Sequence, residues 1–298
     1  MSGRAWLLFG AVSLVWGVPY FFIKVAVEAD IPPAFVAWSR VALAGVLILP
    51  LAVRRQALDG LAGRAWAIAA YAGCEIAAPF TLIAVGEQHI ASSLTAILIA
   101  SMPLMVALLS IRFSPADRPT GLRVVGLLVG LAGVVALLGV DVAGEADELL
   151  GAALVLVATL CYATAPIIVN RRLADLDSLG PVAVSLGLAA IVLTPAAIAA
   201  PPDQTPSLDA LASIVVLGVV CTALGLVLFF QLIAEAGPSR ASVITYVNPL
   251  VAVVLGLVVL DEQLGATTAI GTLLILGGSW LATGGRARAR ARAAERVS

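Results

Sequence analysis

The chain has 298 residues, of which 61% are hydrophobic and 12% charged, with 17 basic and 18 acidic side chains giving a net charge of −1. So apolar a composition, broken only by short polar connections, leaves no room for a soluble domain. The one lysine, Lys24, sits in Tyr-Phe-Phe-Ile-Lys and not in a G-x-x-x-x-G-K-[ST] loop, so nucleotide hydrolysis by this chain is excluded.

In chain order the apolar runs are Ala5 to Val27, Pro33 to Val53, Ala65 to Val85, Ser92 to Ile111, Leu122 to Val140, Leu149 to Val169, Pro181 to Ala200, Leu208 to Ile233, Ser239 to Leu260 and Ala266 to Gly284. Each is about 19 to 26 residues, and at about 1.5 Å per residue each matches a hydrocarbon core about 30 Å thick. The pattern predicts an all-α integral membrane protein of ten transmembrane helices, with the first run retained because it lacks a small-x-small cleavage site. The three cysteines, Cys74, Cys161 and Cys221, fall within predicted spans and are read as packing residues; no metal site or cofactor is expected.

The charges divide by loop. One set of ends carries Arg4, Arg54, Arg55, Arg64, Arg112, Arg118, Arg123, Arg171, Arg172, Arg240 and the arginines from Arg286 to Arg296. The other has no Lys or Arg but holds Glu28, Asp30, Glu87, Asp141, Glu145, Asp147, Glu148, Asp203, Asp209, Asp261 and Glu262. Basic residues are retained on the cytoplasmic side, so both termini are expected inside. Lys24, Arg40 and Glu75 remain within the spans.

Displaced on itself by about 145 or 146 residues, the chain aligns Trp16 with Tyr162, Pro50 with Pro195, Pro103-Leu104 with Pro249-Leu250, and Gly126–Gly133 with Gly271–Gly278. Each unit holds five spans, and an odd number inserts the second copy upside down. Inverted repeats of this kind recur in secondary transporters, which expose a midplane site to each side in turn.

Trp16-Gly-x-Pro-Tyr-Phe-x-x-Lys24, Pro32-Pro33, Gly86-Glu-Gln-His-Ile-Ala-Ser-Ser93 and Asn248-Pro-Leu250, in this order, resemble the EamA branch of the drug/metabolite transporter superfamily. The likeness covers two units, 5–138 and 149–284, followed by a basic cytoplasmic tail, 285–298. It implies an exporter of small metabolites, often amino acids, in a bacterial inner membrane. The family's Glu-Arg step after the fourth and ninth spans is absent from the first copy, and the second keeps only Glu262.

Glu75 lies about ten residues, roughly 15 Å, from the inner end of its span, and Arg40 roughly 10 to 14 Å from the outer end of its own. A charge at that depth is expensive and calls for a cavity, a proton or a partner. Glu75 and Arg40 are therefore read as an ion pair, either fixed or exchanged for a proton or a substrate ammonium during transport. Trp16, Tyr20, Tyr71, Phe80, Tyr162, Gln231, Tyr246 and Asn248 are candidates to line a mixed apolar and polar substrate cavity with Glu75. Pro103 and Pro249 each remove a helical hydrogen bond at one depth in both halves, as hinges or as packing kinks.

Lys24 is expected to snorkel outward or to act as an outer-gate charge, and His89 to sit in an outer loop, where a proton relay is the alternative. Gly126-x-x-x-Gly130 and Gly277-Gly278 permit close approach of helices 5 and 10, within the chain or in a homodimer. The arginine tail is expected to contact anionic lipid heads, with no role for nucleic acid. Uptake, uncoupled facilitated exchange and a lipid-processing membrane enzyme are the competing readings.

Overall fold

The computed structural model describes residues 2–113, 118–138 and 146–295, and for 238–239 and 284–295 the backbone alone. Every regular element among the described residues is helical. Eight helices are long and apolar enough to cross a membrane: α1 Gly3–Glu28, α2 Pro33–Arg54, α3 Ala65–Gly86, α4 Ser92–Phe113, α6 Ala146–Leu173, α7 Leu179–Ala199, α8 Leu208–Ala236 and α10, whose apolar part is Ala266–Thr283. Two more, α5 Leu122–Ala136 and α9 Ile244–Val259, are apolar but shorter.

The described helices are shorter than the expected runs at those two. The predicted end of α5 and the loop after it, 139–145, lie outside the described residues. At α9 the chain does not continue one helix from Ser239: Gly237 turns at φ 82°, Pro238–Ala241 forms a separate helical turn, and the long helix starts at Ile244.

Prolines and hydroxyls explain where helices start and break. Ser2 caps α1 by accepting from the Ala5 amide at 3.1 Å, and Ser207 caps α8 by accepting from the Ala210 amide at 3.2 Å. Proline at the first turn starts α2, where a missing N–H does no harm. Within α1 the helix is interrupted at Val18, ahead of Pro19, and within α4 at Ala100-Ser101, ahead of Pro103. Pro166 in α6 and Pro249 in α9 stand inside unbroken helices. The two hinge candidates therefore differ: Pro103 opens a new helical segment, whereas Pro249 is buried in a continuous one.

Helix pairs α2 with α7, α4 with α9 and α5 with α10 pack together, while α1 lies against α8 and α9, and α6 against α3 and α4. The α5–α10 seam is glycine-lined. A side chain at Gly278 would put its Cβ 2.4 Å from the Gly130 amide nitrogen, and one at Gly133 would come within 2.9 Å of the Gly271 carbonyl. Those glycines bring α5 and α10 together within one chain, whereas Gly277 faces open space.

The outer surfaces carry exposed Leu7, Val46, Leu128, Ile191, Val258 and Leu273. Hydroxyls within the helices bond back to their own backbone, as Thr159 does to the Val155 carbonyl and Thr194 to the Ala190 carbonyl, both at 2.8 Å. Apolar side chains outside and internally satisfied polar groups are what a bilayer requires. The arginine-rich stretch from 285 extends α10 to Glu295, but its side chains lie outside the described residues.

Candidate functional site

Among the described residues π geometry occurs at 137–138 after α5, at the arginine-bearing end of α6, Val169–Leu173, and, in the two turns that bear on the candidate residues, within the apolar stretches of α3 at Ala72–Ala77 and α8 at Val216–Leu224. A π turn shifts the hydrogen-bond register by one residue and leaves carbonyls available, which is why such turns collect at functional sites. In α8 the released groups are taken up by side chains. The Thr222 hydroxyl donates to the Leu217 carbonyl at 2.8 Å, and the Trp16 indole donates to the Cys221 carbonyl at 3.1 Å. Two glycines make room: a Cβ on Gly218 would lie 2.7 Å from the Leu43 Cβ, and one on Gly225 would lie 2.5 Å from the Trp16 Nε1.

Arg40 points onto this turn. Its Nε donates to the Thr222 Oγ1 at 2.7 Å, and its guanidinium carbon stands 3.8 Å above the Phe80 ring centroid. The residue is buried, yet its two terminal amino groups have no hydrogen-bond acceptor among the described residues. A buried guanidinium held by its Nε and stacked on an aromatic face presents its fork to an incoming planar anion, the geometry for which arginine exceeds lysine. Tyr20 and Tyr162 lie close enough to Arg40 to interact with it electrostatically.

Glu75 occupies the α3 π turn and is half-buried. It interacts electrostatically with Tyr71 and Tyr162. Tyr162 thus lies within electrostatic range of both Arg40 and Glu75. The Glu75–Arg40 ion pair is not formed in this conformation, because Thr222 and Phe80 hold the guanidinium and no basic side chain reaches the carboxylate within ion-pair distance among the described residues.

Of the sequence candidates, Trp16, Tyr20, Arg40, Tyr71, Glu75, Phe80 and Tyr162 gather around the two π turns. The other three do not join them. Gln231 is exposed on α8, the Tyr246 hydroxyl bonds Thr283 of α10 at 2.8 Å, and the Asn248 carboxamide, with its nitrogen turned inward, donates to the Ile244 and Ser13 carbonyls at 2.9 and 3.2 Å. Thr222 and the Cys221 carbonyl were not foreseen, although Gly73 and Gly218 share the repeat offset and mark both turns.

The acidic ends of the helices are tied shut. The Lys24 ammonium donates to the Glu87 carbonyl at 2.8 Å and the Ile90 carbonyl at 3.2 Å, with Glu28 at 3.5 Å. Lys24 therefore does not snorkel: the end of α3 supplies acceptors nearer than water. Glu262 reaches back to the start of α4, where its Oε1 accepts from the Ser92 amide and hydroxyl at 2.8 Å and its Oε2 from the Ser93 amide at 3.0 Å. A left-handed Asp261, φ 53°, turns the chain for this contact, and Gly256 leaves space beside the carboxylate. These are closing contacts that the residual Glu262 makes without an arginine partner among the described residues. Glu87, grouped by the sequence with the acids at the ends that lack Lys and Arg, is wholly buried.

At the arginine-bearing ends, Arg64 pairs with both carboxylate oxygens of Asp175 at 2.9 and 2.8 Å and donates to the Arg172 carbonyl, while Arg171 donates to the Phe113 carbonyl. A trough of about 390 Å³ runs between Trp66, Leu109, Phe113, Ile168, Arg171 and Arg172, apart from the Arg40 group.

A helical bundle with apolar outer faces and polar side chains gathered within its core is a multi-pass membrane protein. More narrowly, the EamA-like transporter family model matches residues 3–139 and again 149–284, so the chain belongs to that family. It is 31% identical over 258 residues to YedA of Escherichia coli (strain K12), named as an uncharacterized inner membrane transporter, covering 84% of this chain and 81% of that protein. YoaV of Bacillus subtilis (strain 168), named as an uncharacterized transporter, is 25% identical, covering 92% of this chain and 94% of its own length. A solved crystal structure superposes with a TM-score of 0.66 at 20% identity, covering 95% of this chain and 98% of that one, and so shares the fold.

Proposed function

We propose that this chain is a secondary transporter working by alternating access, exporting amino acids or related small metabolites across the bacterial inner membrane with both termini in the cytoplasm. The single observation that carries the substrate class is the pair of π turns and the side chains on them: one receives an arginine fork with uncommitted donors, the other bears a carboxyl outside any ion pair among the described residues. Arg40 takes the substrate carboxylate, Glu75 takes its ammonium or a proton, and Phe80, Tyr20, Tyr162 and Trp16 supply the apolar and hydroxyl-bearing walls. Separated charges of opposite sign in one low-dielectric site suit a zwitterion better than either ion alone.

The reading takes ten crossings in two inverted five-helix units. The family model matches once in each half, and the principal helix pairs, α2–α7, α4–α9, α5–α10, α1–α8 with α6–α3, and α1–α9 with α6–α4, are unchanged when the halves are exchanged. The two short helices, α5 and α9, complete the count. The acidic face, closed by Lys24 and Glu262, is then the outer one.

Counterflow of a labelled amino-acid panel into proteoliposomes, with and without a pH gradient, tests the proposal. Wild type exchanges at least one amino acid, Arg40→Gln abolishes exchange, and Glu75→Gln removes stimulation by the gradient. Exchange indifferent to both the gradient and Glu75 would make the protein a facilitator. Absence of any exchange by folded protein would overturn the amino-acid assignment.

A further inference from the structure

Glu87 is the residue the transport reading leaves unused. It follows the last residue of α3, is 0% exposed, and neither of its carboxyl oxygens has a hydrogen-bond partner among the described residues. The backbone just before it is fixed by a close approach of two helices. A Cβ on Gly86 would lie 3.0 Å from the Gly151 carbonyl of α6, and one on Gly151 would lie 2.9 Å from the Gly86 carbonyl. An ionised carboxylate in that position would be desolvated with nothing to bind it, whereas the neutral acid is tolerated.

The cation that could stabilise the ionised form is adjacent but engaged elsewhere. Lys24 donates to the backbone carbonyls of Glu87 itself and of Ile90, and its ion-pair partner is Glu28. The other groups acting on the Glu87 carboxyl are Tyr20 of α1, Arg40 of α2 and Glu262 beyond α9, while His89, two residues on, sits with its Cβ against Gly151 of α6. Burial pushes the Glu87 carboxyl well above the ordinary carboxylate range, Lys24 and Arg40 pull it back, and Glu262 and Glu28 push it further up.

We propose that Glu87 is a proton-binding site tied to closure of the acidic face, neutral while Lys24 clamps the end of α3 and ionised when Lys24 leaves those carbonyls and turns to its carboxylate. The proton passes from the Glu87 carboxyl to water at that face as the clamp opens, and returns when it shuts. Acid therefore favours the closed form and alkali the open one. The inference uses the transport reading only in requiring that this face open, and it makes Glu87, separately from Glu75, a point where a proton gradient acts on the molecule.

The test uses the full chain in nanodiscs and needs no substrate. Infrared spectra recorded through a pH titration should show a buried carboxylic-acid band at neutral pH that is lost in Glu87→Gln and kept in Glu75→Gln. Lys24→Met should move the titration of that band to higher pH, an arm that survives if Glu87→Gln does not fold. In a chain with the native cysteines replaced by alanine, Ile90→Cys reports opening through its rate of labelling by an impermeant maleimide, normalised to the exposed Gln88→Cys at each pH. The normalised rate should rise several-fold as the band disappears and stay low at every pH in Glu87→Gln. A neutral-pH band untouched by Glu87→Gln, or normalised labelling that ignores the titration, would overturn the proposal. Failure of amino-acid counterflow alters neither readout and would count against the transport reading alone.

Discussion

The two halves of this molecule share a helical plan and divide the chemistry unequally. The first half carries all three intramembrane charges, Lys24, Arg40 and Glu75, and it contains the interrupted helices α1 and α4. The second half carries none, and its α6 and α9 run unbroken through Pro166 and Pro249. Its contribution is a receiving surface: Thr222 holds Arg40, the Cys221 carbonyl holds Trp16, and Gly218 and Gly225 give both side chains access. Duplication can thus supply two equivalent backbones, but only divergence between the copies gives a site a positive and a negative end.

The sharpest way to break this comparison is at Arg40. Arg40→Gln is expected to weaken binding of a transported solute by about 100-fold, within the roughly 2–5 kcal/mol typical of losing one partner from a buried charge contact, as read by titration calorimetry. Unchanged affinity would remove the first half's charge from the site.

Thr222→Val tests the receiving surface. It deletes the hydrogen bond to a charged donor, for which roughly 1.5–3 kcal/mol is expected, so affinity should fall about tenfold or more while Thr222→Ser retains it. Equal behaviour of valine and serine would mean that α8 merely packs against Arg40.

A smaller effect is expected at Glu262, where the second half closes on the first. Burial raises its carboxyl pKa, but hydrogen bonds from the hydroxyls and amides of Ser93 and Ser92 outweigh that and hold it below the ordinary carboxylate value. A depressed value means that the contact stabilises the closed form at neutral pH and loses its effect as pH falls through that lowered value. Glu262→Gln should lower the thermal midpoint by a few degrees, about 1 kcal/mol given its partial exposure, and the difference from wild type should vanish in acid. A difference that persists at low pH would show that shape rather than charge holds the contact.

Least of all is expected from Asp175→Asn. The Arg64 guanidinium beside it holds the Asp175 carboxyl below its usual range, but both groups are exposed to solvent, and such pairs contribute little. Thermal melts should not resolve the variant from wild type. A clear loss would move the closing interactions of the bundle toward the arginine-bearing ends.

Much of this was legible in the residues because membranes impose a strong pattern. Apolar runs of spanning length, arginines on alternate ends and paired prolines announce helices, their order and an internal repeat, since lipid tolerates neither unpaired backbone nor stray charge. Counting gave Glu75 and Arg40 similar depth, while the structure shows Arg40 on Phe80 and Thr222 and within electrostatic range of Tyr20 and Tyr162. Gln231, Tyr246 and Asn248 met the same criteria of depth and residue type but lie apart from the Arg40 group, because depth says nothing about which way around a helix a side chain faces.

The sequence by itself therefore determined the helical membrane class, the order of the apolar segments and which residues would be costly to bury, because each depends on length and polarity along one strand of chain. Tertiary structure alone decided the partners. That Arg40 goes to Thr222 rather than Glu75, that Lys24 clamps carbonyls instead of reaching for water, and that Glu87 is wholly buried with no partner for its carboxyl among the described residues are outcomes of helices brought together from residues far apart. The physical reason is that burial and hydrogen bonding are settled by the nearest competing group in three dimensions, which no one-dimensional count contains.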